Sequence, residues 1–266
     1  MQKLFEKLTN SFRKNDGLLS YEAFERIVRS CAVSEESRTL FFILQASGYP
    51  ISETADGYRL DTFFRSWREE LYCVIDIETN GSKPGRSQVI ELGAVMIKNA
   101  QIIDRFETFV ACAYLPEHIS RITGIEPSDL IGAPGRKEVL TKLREFMGSA
   151  VFTAHNASFD YGFLDASFNR FGLGHIGNPV LCTIELAKRS IESERYGLAY
   201  LNEKLDLGMK SHHRAYNDAL AASKILLKSF ENIPEYVKST DELLRFAKSN
   251  SRERRASRKR EARKRI

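Results

Sequence analysis

The stretch that most constrains this chain is an apolar run that carries two acids and ends in a turn signal, Tyr72-Cys-Val-Ile-Asp-Ile-Glu-Thr-Asn-Gly81. Read as a β-strand, it places Asp76 and Glu78 on one face, about 7 Å apart, and leaves an apolar opposite face for a core. Burial of two carboxylates is costly unless a cation meets them, and a divalent metal ion is the natural partner. The alternative is a strand end with solvated acids, and the rest of the chain decides between the two.

Composition restricts the class of protein. A chain of 266 residues can form one large domain, or one domain and a smaller one. The four cysteines are scattered without a C-x-x-C pair, which argues against a zinc cluster or a disulfide framework and fits a reducing compartment. The first residues do not resemble a signal peptide, and no apolar run is long enough to cross a bilayer, so we expect no membrane contact.

The positive charge of the chain is concentrated in its last residues. Residues 251–266 contain seven Arg and two Lys against two Glu, a local net charge of +7 within a total of +5, which leaves −2 for the other 250 residues. Such a segment cannot bury a core, so we expect a disordered tail or a solvated helix. It could contact nucleic acid phosphates or an acidic protein, or act as a nuclear-import signal in a eukaryote.

Residues 1–70 have the pattern of a small, mostly helical domain. Apolar spacing predicts three helices, with Ser20 capping the second and Gly48 ending the third, and a hairpin turns at Asp56-Gly57. Three helices followed by a hairpin resemble a winged helix-turn-helix of the biotin-repressor type. The third helix is apolar where a DNA-recognition helix is polar or basic, so packing on the main domain or on a partner is favoured over DNA docking.

Residues 61–70 are predicted to form a short linking helix, after which the pattern becomes that of an α/β domain at 71–232. Strands are predicted at 72–79, 88–97, 102–110, 150–155 and 180–182, and helices at 136–147, 159–171 and 219–230. The tight turn at residues 98–101 implies an antiparallel pair. Residues 233–266 form the third predicted region, a C-terminal helix and the basic tail.

Two further stretches carry acids at the start of helices. Asp160 lies in the first turn of one helix, where an acid is also favourable to the helix dipole alone. His213 precedes Asp218 by five residues, and positions five apart on a continuous helix differ by about 140°. We therefore place His213 on the loop before the helix and Asp218 in its first turn. A loop histidine suits the role of a proton carrier.

Together and in this order, Asp76-x-Glu78, Asp160 and His213-x4-Asp218 closely resemble the DEDDh family of 3′→5′ exonucleases. The segments Arg121-Ile-Thr-Gly-Ile125 and Val89-Ile-Glu-Leu-Gly-Ala-Val95 also resemble that family, over about residues 70–232. Within it the chain looks most like the proofreading epsilon type of bacterial DNA polymerase III. The resemblance implies a ribonuclease H-like α/β fold, a mixed five-stranded sheet flanked by helices.

The resemblance also implies roles for individual residues. Four acids would hold two Mg²⁺ or Mn²⁺ ions: Asp76, Glu78, Asp160 and Asp218. His213 would be the general base; His212 lacks the family spacing, and Arg214 stands where the tyrosine-type relatives carry their tyrosine. The terminal nucleotide would be held by Thr79, Gly81, Ile122, Gly124, Asn156 and Phe159. For the apolar members of that set, a place in the core is an equally good interpretation.

The leading hypothesis is a metal-dependent exonuclease that acts on single-stranded DNA 3′ ends as a proofreader, with the polymerase alpha subunit as partner. Such a protein would be cytoplasmic in a bacterium and associated with the nucleoid, and a nuclear location is not excluded. The alternatives are an RNA 3′-end-trimming exoribonuclease of the same family and a non-catalytic nucleic-acid-binding protein, which the complete set of acids argues against. The extra N-terminal seventy residues and the basic tail depart from the epsilon pattern and put the polymerase partnership in question.

Overall fold

The computed structural model describes residues 1–31, 35–209 and 213–249. The predicted basic tail at 251–266 and His212 therefore lie outside the described residues. Within the described ranges, no helix is both long enough and apolar enough to pass through a bilayer.

The N-terminal part has the element order of a winged helix. Its elements are α1 (Gln2–Lys14), β1 (Leu18–Ser20), α2 (Tyr21–Arg29), α3 (Ser37–Ala46), β2 (Ile51–Thr54) and β3 (Gly57–Leu60). The three strands form an antiparallel sheet in the order β1–β3–β2. Ser20 caps α2 as expected, because its hydroxyl accepts a hydrogen bond from the backbone N–H of Ala23 at 3.2 Å. Sequence reasoning had found the helices and the hairpin but not β1, which is only three residues long.

The exposed face of α3 is apolar, as the sequence indicates. Phe42 and Ile43 are 54% and 37% exposed, and Arg38 is the one basic residue of the helix. The other side of α3 packs its buried residues against the small sheet, with Phe41 stacked on Tyr58 at 5.1 Å. A surface of this kind offers little to a phosphate backbone, which is recognised mainly by lysine and arginine.

The predicted linking helix at 61–70 is wrong. Only Asp61–Phe63 is helical, as one turn of 3₁₀ helix, and the chain then crosses towards the C-terminal helix. Trp67 is buried there and its indole N–H donates to the carbonyl of Val237 at 2.9 Å, while Ser66 forms a bridge with Ser239. Long-range burial of an aromatic side chain has overridden a local helical preference.

The α/β part contains a five-stranded mixed sheet, as predicted. Its strands are β4 (Tyr72–Thr79), β5 (Val89–Lys98), β6 (Gln101–Phe109), β7 (Val151–Ala154) and β8 (Val180–Cys182). They lie in the order β6–β5–β4–β7–β8, with β4, β5 and β6 antiparallel and with β7 and β8 parallel to β4. β4 is therefore the central strand and has a neighbour on each side.

Helices cover both faces of this sheet. They are α4 (Glu117–Thr123), α5 (Pro127–Leu130), α6 (Arg136–Met147), α7 (Ala157–Arg170), α8 (Thr183–Ser190), α9 (Leu198–Lys204), α10 (Ala215–Phe230) and α11 (Thr240–Lys248). One face of β4 packs Cys73, Ile75 and Ile77 against α6 and α7, and the other packs Val74 against α10 and α11. The alternation read from the sequence of this strand is thus present in the core.

The N-terminal part is fastened to the α/β part by specific polar contacts. The guanidinium of Arg13 on α1 donates two hydrogen bonds, at 2.9 and 2.8 Å, to the buried carboxylate of Asp241 on α11. The carbonyl of Ser47 accepts from the backbone N–H of Gly177 at 2.7 Å and from Arg144 at 2.9 Å. These contacts link the two parts directly, while the predicted domain boundaries at 70/71 and 232/233 stay predictions.

Candidate active site

The first two acids of the site lie on the central strand. Asp76 and Glu78 point to the same side of β4 and face Gly93 and Glu91 of β5 in the antiparallel register. The pairing shifts by one residue after Glu78, so the strand ends in a bulge that leads to Thr79. The sheet therefore presents three carboxylates, with that of Glu91, on one small area.

Two helices bring further acids to the same place. Asp160 lies in the first turn of α7 and is 3% exposed, and Asp218 lies in the first turn of α10 and is 7% exposed. α7 begins directly after Asn156, whose left-handed conformation (φ 76°) turns the chain from β7 into the helix. Each acid is thus fixed by the start of a helix that packs against the sheet.

The electrostatics show that these acids share one site. Burial raises the pKa of Asp76 well above its ordinary value, and the nearby carboxylates of Asp160, Asp218 and Glu78 raise it further. Burial and neighbouring acids also raise the pKa of Glu78 to about 8, which Arg214 partly opposes. Since like charges held this close resist ionisation, the cluster calls for a positive partner.

The pKa of Asp160 is also raised, but hydrogen bonds to its carboxylate oppose the rise. Burial raises the pKa of Asp160 to about 7, although hydrogen bonds with the backbone of Asp160 itself and of Ile77 hold it lower. Hydrogen bonds of this kind favour the charged carboxylate and so prepare it to act as a ligand.

His213 lies on the loop before α10, at the mouth of the acid cluster. Its backbone has φ 62°, an unusual value for a residue other than glycine, and its N–H donates to the Asp218 carboxylate at 3.1 Å. A potential ligand atom from each of Glu78, His213 and Asp218 lies within 4.8 Å of the other two. The exposed imidazole therefore stands beside two of the acids, as the spacing argument expects for a loop residue.

An ion pair between Glu91 and Arg214 anchors the start of α10, and it was missed from the sequence. Glu91 on β5 accepts hydrogen bonds from the Arg214 guanidinium, the shortest at 2.9 Å, and from the backbone N–H of Ala215 at 3.0 Å. Arg214 also lies over the ring of Phe109, 5.4 Å from its centroid. Because 123 residues separate Glu91 from Arg214, no local sequence signal connects them.

His155 is placed where a structural role is expected. Its Nδ1 lies 2.8 Å from the Thr183 hydroxyl, and burial lowers its pKa to about 4. At neutral pH its ring is therefore uncharged and occupied in joining β7 to α8. His155 and the left-handed Asn156 thus follow β7 directly and shape the turn between this strand and α7.

The residues expected to hold a nucleotide fall into three groups. Thr79 and Gly81 lie in the turn after β4, where the Thr79 hydroxyl donates to the Gly81 carbonyl at 2.9 Å. Asn156 and Phe159 lie at the start of α7, joined by a backbone hydrogen bond of 3.0 Å, and Phe159 is 37% exposed. On α4, Ile122 is 55% exposed and Gly124 ends the helix with φ 69°. Exposure of the two apolar side chains favours contact with a ligand over a place in the core.

The turn after β4 has little freedom. Asn80 accepts from the Gln88 N–H at 2.8 Å through its side-chain oxygen, and its amide donates to the Tyr114 carbonyl at 3.1 Å. A side chain on Gly81 would approach the Ser87 hydroxyl to 2.6 Å. The edge of the site next to Glu78 is thus held in one shape.

The donor set fits divalent metal ions. Carboxylate oxygens are the preferred ligands of Mg²⁺ and Mn²⁺, and an ion would relieve the repulsion that raises the pKa values of Asp76, Glu78 and Asp160. The arrangement of several acids and one imidazole around a common point suits hydrolysis of a phosphodiester, where negative charge grows on oxygen.

Comparisons with known proteins agree with this geometry. The exonuclease model of the RNase T family matches residues 73–226. DNA polymerase III of the PolC type from Staphylococcus haemolyticus is 40% identical over 174 residues, which cover 64% of this chain and 12% of the relative. The Staphylococcus aureus polymerase of the same type is 40% identical over 171 residues, again with 12% of its length covered.

Solved structures support the fold. Escherichia coli exonuclease I in complex with a dA16 oligonucleotide superposes with a TM-score of 0.56 at 15% identity, covering 62% of this chain and 42% of that one. Cell-death related nuclease 4 gives a TM-score of 0.53 at 15% identity over 62% of this chain and 64% of its own. At such low identity these matches concern the fold alone, and they bear out the predicted ribonuclease H-like sheet.

Proposed function

The chain belongs to the RNase T exonuclease family, and from that premise we propose that it trims DNA 3′ ends as the proofreading nuclease of a bacterial replicative polymerase. It is a 3′→5′ exonuclease, and its family uses divalent metal ions. The observation that carries the proposal is the convergence of four acids and His213 on one end of the sheet.

The acids would serve as ligands of two Mg²⁺ or Mn²⁺ ions. The residues concerned are Asp76, Glu78, Asp160 and Asp218. When bound, the ions supply Lewis-acid activation of water and stabilisation of negative charge on the leaving 3′ oxygen. Asp160 and Asp218 lie at helix starts, and Asp76 and Glu78 lie on the central strand, so all four ligands are carried by regular elements rather than by loops.

His213 acts as the general base. A water molecule attacks the phosphorus and the imidazole takes a proton from that water. The bond from phosphorus to the 3′ oxygen breaks, and the 3′ oxygen leaves with the bonding electron pair and takes a proton from solvent, which releases a nucleoside 5′-monophosphate and leaves a new 3′ hydroxyl on the shortened strand. An imidazole suits this step because a ring nitrogen can accept the proton of the water and later release it. His213 is exposed and lies beside Glu78 and Asp218, so its ring is accessible to substrate.

The terminal nucleotide lies between the turn after β4, the end of α4 and the start of α7. Ile122 and Phe159 offer exposed apolar surface for the base and sugar. The turn of Thr79 and Gly81 allows the 3′ end of the DNA to approach closely. Gly124 and Asn156 provide left-handed backbone at the edges of this pocket. Contacts of this type do not depend on base identity, as a proofreader requires.

Similarity to PolC-type polymerases supports DNA as the substrate and a replicative polymerase as the context. The alpha subunit of such a polymerase is the partner that we propose. This role would place the protein in the bacterial cytoplasm, at the nucleoid. Because the chain covers 12% of those relatives, the polymerase partnership is tested separately from the nuclease activity.

The decisive experiment is digestion of 3′-labelled single-stranded DNA, mismatched primer-template and RNA of the same sequence, with Mg²⁺ or with EDTA. We expect stepwise loss of DNA nucleotides that needs Mg²⁺ and disappears in Asp76→Ala but not in Asp104→Ala, an exposed acid on β6. Cleavage restricted to RNA would replace DNA with RNA as the substrate. Absence of metal-dependent cleavage would leave a nucleic-acid-binding protein.

The partnership has its own test. Purified polymerase alpha subunit from the same organism should form a stable complex with the full chain in size-exclusion chromatography. Failure to form that complex, with nuclease activity intact, would refute the subunit role and leave the exonuclease in place.

A further inference from the structure

Glu91 is a fifth carboxylate at the acid cluster, and its surroundings differ from those of the other four. It lies directly across from Glu78 on the neighbouring strand and is 7% exposed. Side chains opposite each other in antiparallel strands lie close together, and two like charges in that position repel. A buried acid retained at such a position needs a specific partner.

That partner is the start of α10, directly after His213. Arg214 donates to one Glu91 oxygen from Nε at 3.1 Å and from Nη2 at 2.9 Å, and Nε also lies 3.4 Å from the other oxygen. The second oxygen accepts a hydrogen bond of 3.0 Å from the backbone N–H of Ala215, and Ala215 is the first residue of α10. Both oxygens of Glu91 are therefore engaged by two consecutive residues of the chain.

The backbone contact between the strand and the helix is equally close. A Cβ atom on Gly93, two residues along β5, would come within 2.2 to 2.4 Å of backbone atoms of Ala215 and Tyr216. The start of α10 thus rests directly on β5, with Gly93 providing room and Glu91 providing the bond. These contacts fix where α10 begins, and they therefore also restrict the position of His213.

His213 depends on that placement. Its φ of 62° lies in the left-handed region, which disfavours residues with a side chain, so the conformation persists only where its surroundings impose it. Two sets of hydrogen bonds impose it. The N–H of His213 donates to Asp218, and the next two residues donate to Glu91.

We propose that Glu91 is a positioning residue that acts through His213. Both oxygens of its carboxylate are engaged by Arg214 and Ala215, and we assign it no metal ion. It fixes the chain at the start of α10 and so holds His213 in the conformation that sets the imidazole beside Glu78 and Asp218. This inference rests on the proposed function, in which His213 takes the proton of the attacking water.

The test is a double-mutant cycle on the full chain. Release of nucleotides from 3′-labelled single-stranded DNA with Mg²⁺ is measured for the wild type, Glu91→Gln, His213→Ala and the combined variant. Glutamine keeps the shape but puts an N–H₂ group against groups that are themselves donors. A displacement of about 1 Å in a catalytic group can cost about 10²-fold, so we expect kcat of Glu91→Gln to fall by about that factor with KM within about threefold.

The combined variant separates positioning from general damage. With His213 absent, Glu91→Gln should lower kcat by less than about threefold further, because interactions made through one residue are lost only once. An equal loss in both backgrounds would show that Glu91 supports the fold or the metal site instead, and would overturn the proposal. Equal Mg²⁺ concentrations for half-maximal activity in the wild type and Glu91→Gln are also expected; a large increase would overturn it as well.

Two further variants serve as a control for charge and as a replacement if Glu91→Gln does not fold. Glu107→Gln removes an exposed acid from β6, opposite Gly93, and should keep kcat within about twofold, because it changes the charge near Arg214 without breaking the anchor. If Glu91→Gln does not fold, Arg214→Gln replaces it, since Ala215 can still donate to Glu91. The wild type and Asp76→Ala report on the proposed function itself, so an inactive wild type refutes that function, whereas a failed cycle in an active enzyme refutes only the role of Glu91.

Discussion

The crowding of acids around Glu78 predicts that the metal-free protein loses stability as the pH rises. Burial and the charges of Asp218, Glu91 and Asp160 raise the pKa of Glu78 from 4.5 to about 8. Between these two values the folded state holds a proton that the unfolded state has lost. Stability contributed by this carboxyl is therefore fully present below about pH 4.5 and is lost as the pH rises through about 8.

The size of the effect follows from the same pKa values. A difference of one pKa unit between folded and unfolded states corresponds to about 1.4 kcal/mol, which gives an upper limit of roughly 5 kcal/mol for Glu78. Because the side chain keeps some contact with water, screening reduces this figure, and we expect about 2–3 kcal/mol. For a chain of this size that is a shift in Tm of roughly 5–10 °C.

Glu78→Gln removes this contribution, together with the part of the raised pKa of Asp76 that the Glu78 charge causes. Thermal unfolding of the variant and the wild type is followed by circular dichroism in EDTA from pH 5 to pH 9. The variant should gain about 2–3 kcal/mol relative to the wild type across that range, because its amide never ionises. The comparison between the two proteins cancels the pH dependence of groups outside the site.

Saturating Mg²⁺ should stabilise the wild type at pH 8 more than it stabilises Glu78→Gln, since a cation binds the ionised cluster more tightly. Glu138→Gln, which removes an exposed acid of α6, should follow the wild type at every pH. A stability difference between Glu78→Gln and the wild type that stays constant within about 1 kcal/mol from pH 5 to pH 9 would refute the reasoning.

Three further outcomes follow from the structure. Chelation with EDTA should stop nucleotide release and added Mg²⁺ should restore it, which a gel assay on labelled DNA checks directly. Gly93→Ala should lower Tm and kcat together, because its Cβ would lie 2.2 Å from the Tyr216 nitrogen; an unchanged melting curve would contradict the close packing of α10 on β5. Gly48 has φ +84°, and a Cβ atom on it would lie 2.1 Å from the side-chain oxygen of Asn178 in the α/β part. Gly48→Ala should therefore lower the free energy of unfolding by at least about 1 kcal/mol, as measured by thermal melting. Its kcat on short DNA should stay within about twofold of the wild type, as measured by nucleotide release.

Local patterns were sufficient for most of the α/β elements. The apolar period of Arg136–Met147 predicted that helix with the ends that the structure shows, and Gly148 follows it with a positive φ. The alternation in Tyr72–Thr79 predicted both the strand and the face that carries the acids. In each case the signal lies within one element, where side-chain direction follows directly from the backbone period.

Other features depend on residues that are far apart in the chain. The turn around Trp67 was predicted as a helix because its packing partner, near Val237, lies 170 residues away. β1 has only three residues, too few for a period, and its pairing with β3 supplies the order. The short helices α4 and α5 likewise show no clear repeat, and they form where Ile125 and Leu130 close a small core over β5.

The acids of the site divide into two kinds that spacing in the sequence does not distinguish. Glu91 has a guanidinium and a backbone N–H for its two oxygens, so its charge is balanced within the protein. Asp76, Glu78 and Asp160 instead have pKa values raised by burial, and the folded chain holds them at an energetic cost that a bound cation removes. An acid that the protein neutralises can anchor a loop, whereas an acid left uncompensated can bind a metal ion. The uncompensated acids therefore create the requirement for a metal ion. Glu91, the balanced acid of the same cluster, fixes the start of α10 and so places His213 beside them.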